Sequence, residues 1–139
     1  MKKSIVMAVL AAGVLTACNS NKQTTDNDMK QELQLTQEWD KVFPKSDKVE
    51  HKKVTFTNLF GITLAADLYT PKETEDKLPA IAISGPFGAI KEQSSGLYAM
   101  RMAERGFVTL AFDPSYTGES SGEPRRTASP DINTEDFMA

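Results

Sequence analysis

The sequence is poor in the side chains that support metal and disulfide chemistry. Its 139 residues hold one cysteine, Cys18, and one histidine, His51. A single cysteine closes no internal disulfide, and one Cys with one His cannot complete a structural zinc site. Excess positive charge is also missing. Sixteen Lys and Arg against 19 Asp and Glu leave a formal charge of −3, and no basic patch is interleaved with aromatics, so nucleic acid is not an expected partner. The apolar run Ile5 to Leu15 falls well short of the ~20 residues that span a bilayer. No internal repeat is visible. What is present is 40% hydrophobic residues, enough for one globular core in a chain too short for much more.

The N-terminus carries the clearest local signal. Lys2 and Lys3 precede the apolar stretch IVMAVLAAGVL, which ends in LTAC at Leu15 to Cys18. Small residues before a cysteine form a lipobox, and the segment resembles a bacterial lipoprotein signal. The resemblance implies cleavage before Cys18 and lipid attached to it, so residues 1–17 are a signal peptide and membrane lipid is a partner through Cys18. The cell envelope is the implied location, with inner or outer membrane left open. The alternative is an ordinary secretory leader with an incidental cysteine. Residues 18–32 are polar and lack aromatics, as expected of a flexible tether.

Residues 33–139 read as an α/β domain. LQLTQEWDKVF (33 to 43) predicts a short helix laying Trp39 and Phe43 on the domain. KVTFTN (53 to 58) alternates apolar Val54 and Phe56 with Thr55 and Thr57, a half-buried strand. NLFG supplies a turn, and ITLAADLYTP (62 to 71) returns as the second strand of an antiparallel hairpin. LPAIAISG (78 to 85) is a continuous apolar run that predicts a strand buried on both faces. SSGLYAMRMAERG (94 to 106) predicts a helix capped by Ser94 or Ser95, with Leu97, Met100, Met102 and Ala103 inward and Gly106 at its end. FVTLAFD (107 to 113) is a further buried strand, and strand, helix, strand makes a βαβ unit with parallel strands. DINTEDFMA (131 to 139) opens a helix capped by Asn133 or Thr134, with Glu135 and Asp136 near its N-terminus.

A hairpin followed by a βαβ unit is how the α/β-hydrolase fold begins. SGPFGAIKEQ (84 to 93) resembles the loop after the third strand in bacterial esterases and dienelactone-hydrolase-like members of that superfamily. ERGFVTLAFDPSYTGESSGEP (104 to 124) resembles their fourth strand and the loop behind it, with Asp113, Gly118, Ser120 and Gly122 on the pattern. The resemblance covers residues 49–139 and implies the N-terminal part of that fold, an incomplete domain truncated before the nucleophile-bearing strand. It implies hydrolysis of an ester or related acyl bond in a small-molecule substrate, without metal or other cofactor.

GESSG (118 to 122) matches G-x-S-x-G, the elbow that exposes a catalytic serine between a strand and a helix. Ser120 lacks that context: PSYT precedes it and EPRR follows it. It is therefore expected to hydrogen-bond within a turn, with Gly118 and Gly122 permitting tight backbone. His51 is expected to be exposed among charged neighbours and remote from Ser120. Asp113 precedes the nucleophile's place in the chain, so it is expected to accept backbone N–H bonds and not to act as the catalytic acid. By the resemblance, the loop after the third strand donates a backbone N–H to the oxyanion hole. The candidates are Phe87 and then Gly88, since Pro86 has no N–H; the alternative is that Gly85, Pro86 and Gly88 only make a turn. Lys91, Glu92 and Gln93 can orient this loop or cap the helix after it.

The expectation is thus a fragment of a membrane-anchored hydrolase that lacks its own nucleophile and catalytic histidine and is inactive alone. Two alternatives stand beside it: a finished, non-catalytic tethered lipoprotein acting as a binding or accessory module, and a truncated product without independent function.

Overall fold

The computed structural model describes residues 33–139 apart from 37 and 74–76. The expected signal peptide, the tether and Cys18 lie outside the described residues. Four strands and two helices follow one another as β1 (Val49–Thr57), β2 (Thr63–Pro71), β3 (Ala80–Ile83), α1 (Ser94–Ala103), β4 (Val108–Phe112) and α2 (Pro130–Met138). The sheet order is β1-β2-β4-β3. β1 and β2 pair antiparallel, as do β2 and β4, while β3 and β4 run parallel. Hairpin and βαβ unit are therefore as the hydrophobic patterns predict.

Strand alternation sends residues to opposite faces. On one face α1 covers a core of Phe43, Val49, Tyr69, Met100 and Ala111, with Trp39 and Ile83 against it. On the other, Phe112 meets Phe56 at 6.0 Å and Phe137 of α2 at 4.8 Å, both edge-on. Phe112, fully buried, contributes about 1.5–3 kcal/mol, whereas Phe137 stays half exposed.

Several local expectations need correction. Residues 33–43 form no helix among the described ones, although Trp39 and Phe43 do pack on the core; Trp39 Nε1 donates to the Phe43 carbonyl at 2.7 Å instead. β3 is not buried on both faces. It lies at the edge of the sheet, where no described strand covers its outer side, and Ala80 and Ala82 are exposed. The strand buried throughout its centre is β2, flanked by partners on both sides. In α1 the inward residues are Ser95, Gly96, Ala99, Met100 and Ala103, spaced four apart, while Leu97 is exposed. Neither serine caps this helix: Gln93 holds the N-cap position without a side-chain cap bond. Its end matches expectation. Gly106, at φ +97°, donates to Ala103 while Phe107 donates to Met102, the paired bonds of a left-handed helix stop. α2 begins earlier than Asn133, with Ser129 as N-cap and Pro130 in the first turn, where its missing N–H costs nothing. Thr134 Oγ1 donates back to the Pro130 carbonyl. Glu135 and Asp136 thus fall late in the helix, and both are buried.

Candidate functional site

The loops following β3 and β4 emerge side by side because the two strands are parallel neighbours. Ligands in open α/β sheets bind outside these carboxyl ends. Between the loops lies a cavity of about 610 Å³, with Phe87, Gly88 and Ile90 on one side and Tyr116, Gly118 and Arg126 on the other. Phe87 is 74% exposed. Ala89 N–H closes a turn on Pro86 O at 2.9 Å, whereas the Phe87 and Gly88 N–H groups hold no hydrogen bond among the described residues. The structure thus brings the two oxyanion candidates to a cavity wall with their amides uncommitted.

The opposite wall holds an unusual backbone. Tyr116 (φ +69°) and Arg126 (φ +61°) are the two non-glycine residues in the left-handed region among those described. Tyr116 N–H donates to Ser121 O and Arg126 N–H to Tyr116 O, both at 2.9 Å, so the two are locked together. Such conformations cost about 1–3 kcal/mol each and persist where the surroundings enforce them, often at functional sites. The guanidinium of Arg125 is used internally, reaching the carbonyls of Ser120 and Gly118. That of Arg126 has no partner among the described residues.

Ser120 is buried and committed elsewhere. Its Oγ accepts from Ala65 N–H at 2.9 Å and donates to Asp113 O at 2.7 Å. Ser121 Oγ accepts from Thr63 N–H at 2.9 Å, and Ser121 N–H returns to Thr63 O at 2.8 Å. β4 pairs β2 only from Ala66 to Tyr69, so the two serines satisfy β2 backbone beyond the end of β4. The glycines of the motif have equally local reasons. A Cβ on Gly118 (φ +54°) would collide with the Asp113 carboxylate, and one on Gly122 (φ +106°) with the Tyr116 ring. Ser120 sits opposite Ala65 and His51 opposite Tyr69, so four residues of β2, roughly 13 Å, separate them. They are remote, as expected.

His51 itself departs from expectation. It lies within β1, half buried, with Nε2 at 2.7 Å from Asp67 Oδ1 and its ring between Trp39 and Tyr69. The reason is facial: His51 and Asp67 both point to the face covered by α1.

Asp67 belongs to an ion network that the sequence reading missed. Lys41 Nζ lies 2.5 Å from Asp40 and 3.0 Å from Asp67. Lys53 Nζ joins Asp40 at 2.6 Å and Glu119 at 2.7 Å. Lys91 Nζ joins Glu92 at 2.5 Å, Glu119 at 2.7 Å and Asp113 at 2.8 Å. Asp113 also accepts the N–H groups of Lys91 (2.8 Å) and Glu119 (2.9 Å), as its expected backbone role requires. Burial disfavours the Lys91 ammonium, yet the facing carboxylates, Asp113 foremost, outweigh it and hold its pKa far above the ordinary lysine range. Burial likewise acts to raise Asp40, but Lys41 and Lys53 bring it down to about 2. Asp40, Glu92 and Glu119 place oxygens within 4.8 Å of one another, a spacing a metal could use. Lys53 and Lys91 already bond into that gap, so its charge is met by ammonium groups. A charge in the middle of an apolar strand, as Asp67 is in ITLAADLYTP, was the available signal, because buried charge demands a partner.

Residues 61–137, more than half of the chain, match the family described as X-Pro dipeptidyl-peptidase (S15 family). Protein PA2218 of Pseudomonas aeruginosa is 67% identical over 135 residues, covering 96% of this chain and 36% of PA2218. The crystal structure of PA2218 superposes with a TM-score of 0.75 at 78% identity, over 78% of this chain and 34% of that one. The acyltransferase drtE of Aspergillus calidoustus is 32% identical over 91 residues, 66% of this chain and 29% of drtE. The α/β-hydrolase GrgF from Penicillium sp. sh18 gives a TM-score of 0.59 at 29% identity, over 64% of this chain and 30% of GrgF. The chain spans about a third of the length of the curated relatives it matches.

Proposed function

We propose that this chain, which belongs to the X-Pro dipeptidyl-peptidase (S15) family and has the α/β-hydrolase fold, forms the N-terminal part of a lipid-anchored hydrolase acting on an ester or related acyl bond. One observation carries the reading: the loops after β3 and β4 meet at a cavity where the Phe87 and Gly88 amides have no hydrogen-bond partner among the described residues. Amides so placed can hold the negative charge that develops on a carbonyl oxygen under attack. The Phe87 ring lines the same cavity and supplies an apolar wall for the acyl group. A peptidase family and a relative named as an acyltransferase fit one chemistry, attack on a carbonyl carbon.

The two hydrogen bonds and the burial of Ser120 support reading it as a structural residue and not as the nucleophile. The attacking Ser or Cys, the later acid and the later His are placed beyond Ala139, in the order the fold requires. The nucleophile passes its proton to that His, adds to the carbonyl, and expels the alcohol or amine, which takes the proton. Water then releases the acid from the acyl-enzyme. Alone, residues 33–139 would not turn over.

Anchoring rests on LTAC at residues 15–18. Among the described residues no helix is long and apolar enough to cross a membrane. Cys18 lipid would then hold the domain at a bacterial envelope membrane. The reading frame past the codon for Ala139 tests the enzyme reading: it should encode a strand followed by G-x-S-x-G or G-x-C-x-G, and its product should hydrolyse short aryl esters. A frame without that motif would overturn the proposal. Fractionation tests the anchor, since Cys18→Ser should move the protein from membranes to the soluble fraction.

A further inference from the structure

The geometry points to Lys91 as a positioning residue that fixes where the Phe87 and Gly88 amides face; the inference rests on the reading of this cavity as an acyl site. Lys91 is 1% exposed and touches both walls of the cavity's foundation. Its own N–H donates to Asp113 Oδ1 at 2.8 Å and its Nζ to Asp113 Oδ2 at 2.8 Å. The same Nζ reaches Glu119 Oε2 at 2.7 Å, and Glu119 N–H donates to Asp113 Oδ2 at 2.9 Å. One lysine and one aspartate thus grip the loop after β3 and the loop after β4 together.

The clamp sits next to the walls it would set. Ile90 and Gly118, the residues just before Lys91 and Glu119, both line the cavity. On the other side of Lys91, its carbonyl packs where a Cβ on Gly96 of α1 would collide with it. With its N–H and ammonium both held, Lys91 is a fixed base from which the short Pro86–Ala89 turn projects. Asp113 is fully buried and Lys91 supplies its countercharge, so replacing Lys91 by an uncharged residue strips the anchor of the cation that holds it. The two oxyanion amides would then lose their fixed direction while the cavity walls keep their chemistry.

The test uses the protein from the full reading frame, with variants Lys91→Met, Lys91→Arg and Glu119→Gln, and Arg101→Ala on the exposed face of α1 as control. For a p-nitrophenyl ester, Lys91→Met should lower kcat by about a hundredfold, the scale of losing an oxyanion donor, with KM nearly unchanged. Lys91→Arg should recover part of that loss. Hydrogen exchange should speed up at residues 89–91, whose amides are hydrogen-bonded, and stay as in wild type in β2. A folded Lys91→Met with wild-type kcat, a rise confined to KM, or exchange that quickens throughout the domain would overturn the inference. If Lys91→Met does not fold, Glu119→Gln decides: a several-fold fall in kcat with faster exchange at 89–91 supports the clamp, and no change in either overturns it. If wild type turns over no acyl substrate, the proposed function fails on its own, and exchange at 89–91 in the folded variants alone settles the clamp.

Discussion

Lys91 and Arg126 are both long cations at the carboxyl end of the sheet, and their surroundings differ completely. Lys91 is buried and meets three carboxylates. Arg126 stands at the cavity wall in a left-handed conformation, with no side-chain partner among the described residues. The same contrast separates Ser120, buried with both hydrogen-bonding roles filled, from the Phe87 and Gly88 amides, which are unfilled among the described residues. Lys91 and Ser120 are satisfied beneath the loops, whereas the Phe87 and Gly88 amides and the Arg126 guanidinium on the loops have no partner among the described residues. Buried groups held as firmly as Lys91 and Ser120 can support a surface whose groups are kept free for a ligand.

Mutations should break this contrast from below and leave it intact from above. Asp67→Ala has the largest expected effect. It removes the carboxylate between Lys41 and His51, and denaturant unfolding should show a loss of about 3–5 kcal/mol, the scale for breaking a buried pair. Gly118→Ala comes next. Left-handed backbone alone costs an alanine roughly 1–2 kcal/mol, and its Cβ would also push on Asp113, so a loss of at least about 2 kcal/mol is expected. Acid sharpens the comparison without mutation. Asp40 is lowered from 3.8 to about 2, and Glu119 is also lowered, against its burial, by Lys53 and Lys91. A carboxylate held down in the folded state stabilises it above the unfolded pKa, and that stability fades as pH falls through the folded value. Stability should therefore decline between about pH 4 and pH 2, and Asp40→Asn should flatten that decline in a pH series of thermal melts. Phe87→Ala has the smallest expected effect on stability. The ring is exposed, so unfolding should shift by no more than about 0.5 kcal/mol, while KM for an aryl ester rises in the full protein.

The contrast also explains what the sequence made legible. Hairpin, βαβ unit and helix stop follow from periodicity and from Gly106, because these are local rules. Which strand is central is not local. β2 carries Asp67 in its middle and β3 is uniformly apolar, yet β2 is the more buried, since sheet position decides burial. His51 was misjudged for the same reason: its neighbours in the chain are charged, but its neighbours across the sheet are Tyr69 and Asp67. The cavity was legible only through the resemblance to a hydrolase loop, which directed attention to Phe87 and Gly88. The ions beneath it come from five separate stretches of chain, between Asp40 and Glu119, and no spacing rule links them.

GESSG concentrates the question. It reads as an active-site motif, yet its serines complete β2, its glycines make room for Asp113 and Tyr116, and Glu119 bridges Lys53 and Lys91. The most direct measurement is to treat the protein from the full reading frame with a fluorophosphonate and locate the adduct by mass spectrometry. The adduct is expected on a Ser or Cys beyond residue 139, with Ser120 unmodified. An adduct on Ser120 would contradict the account.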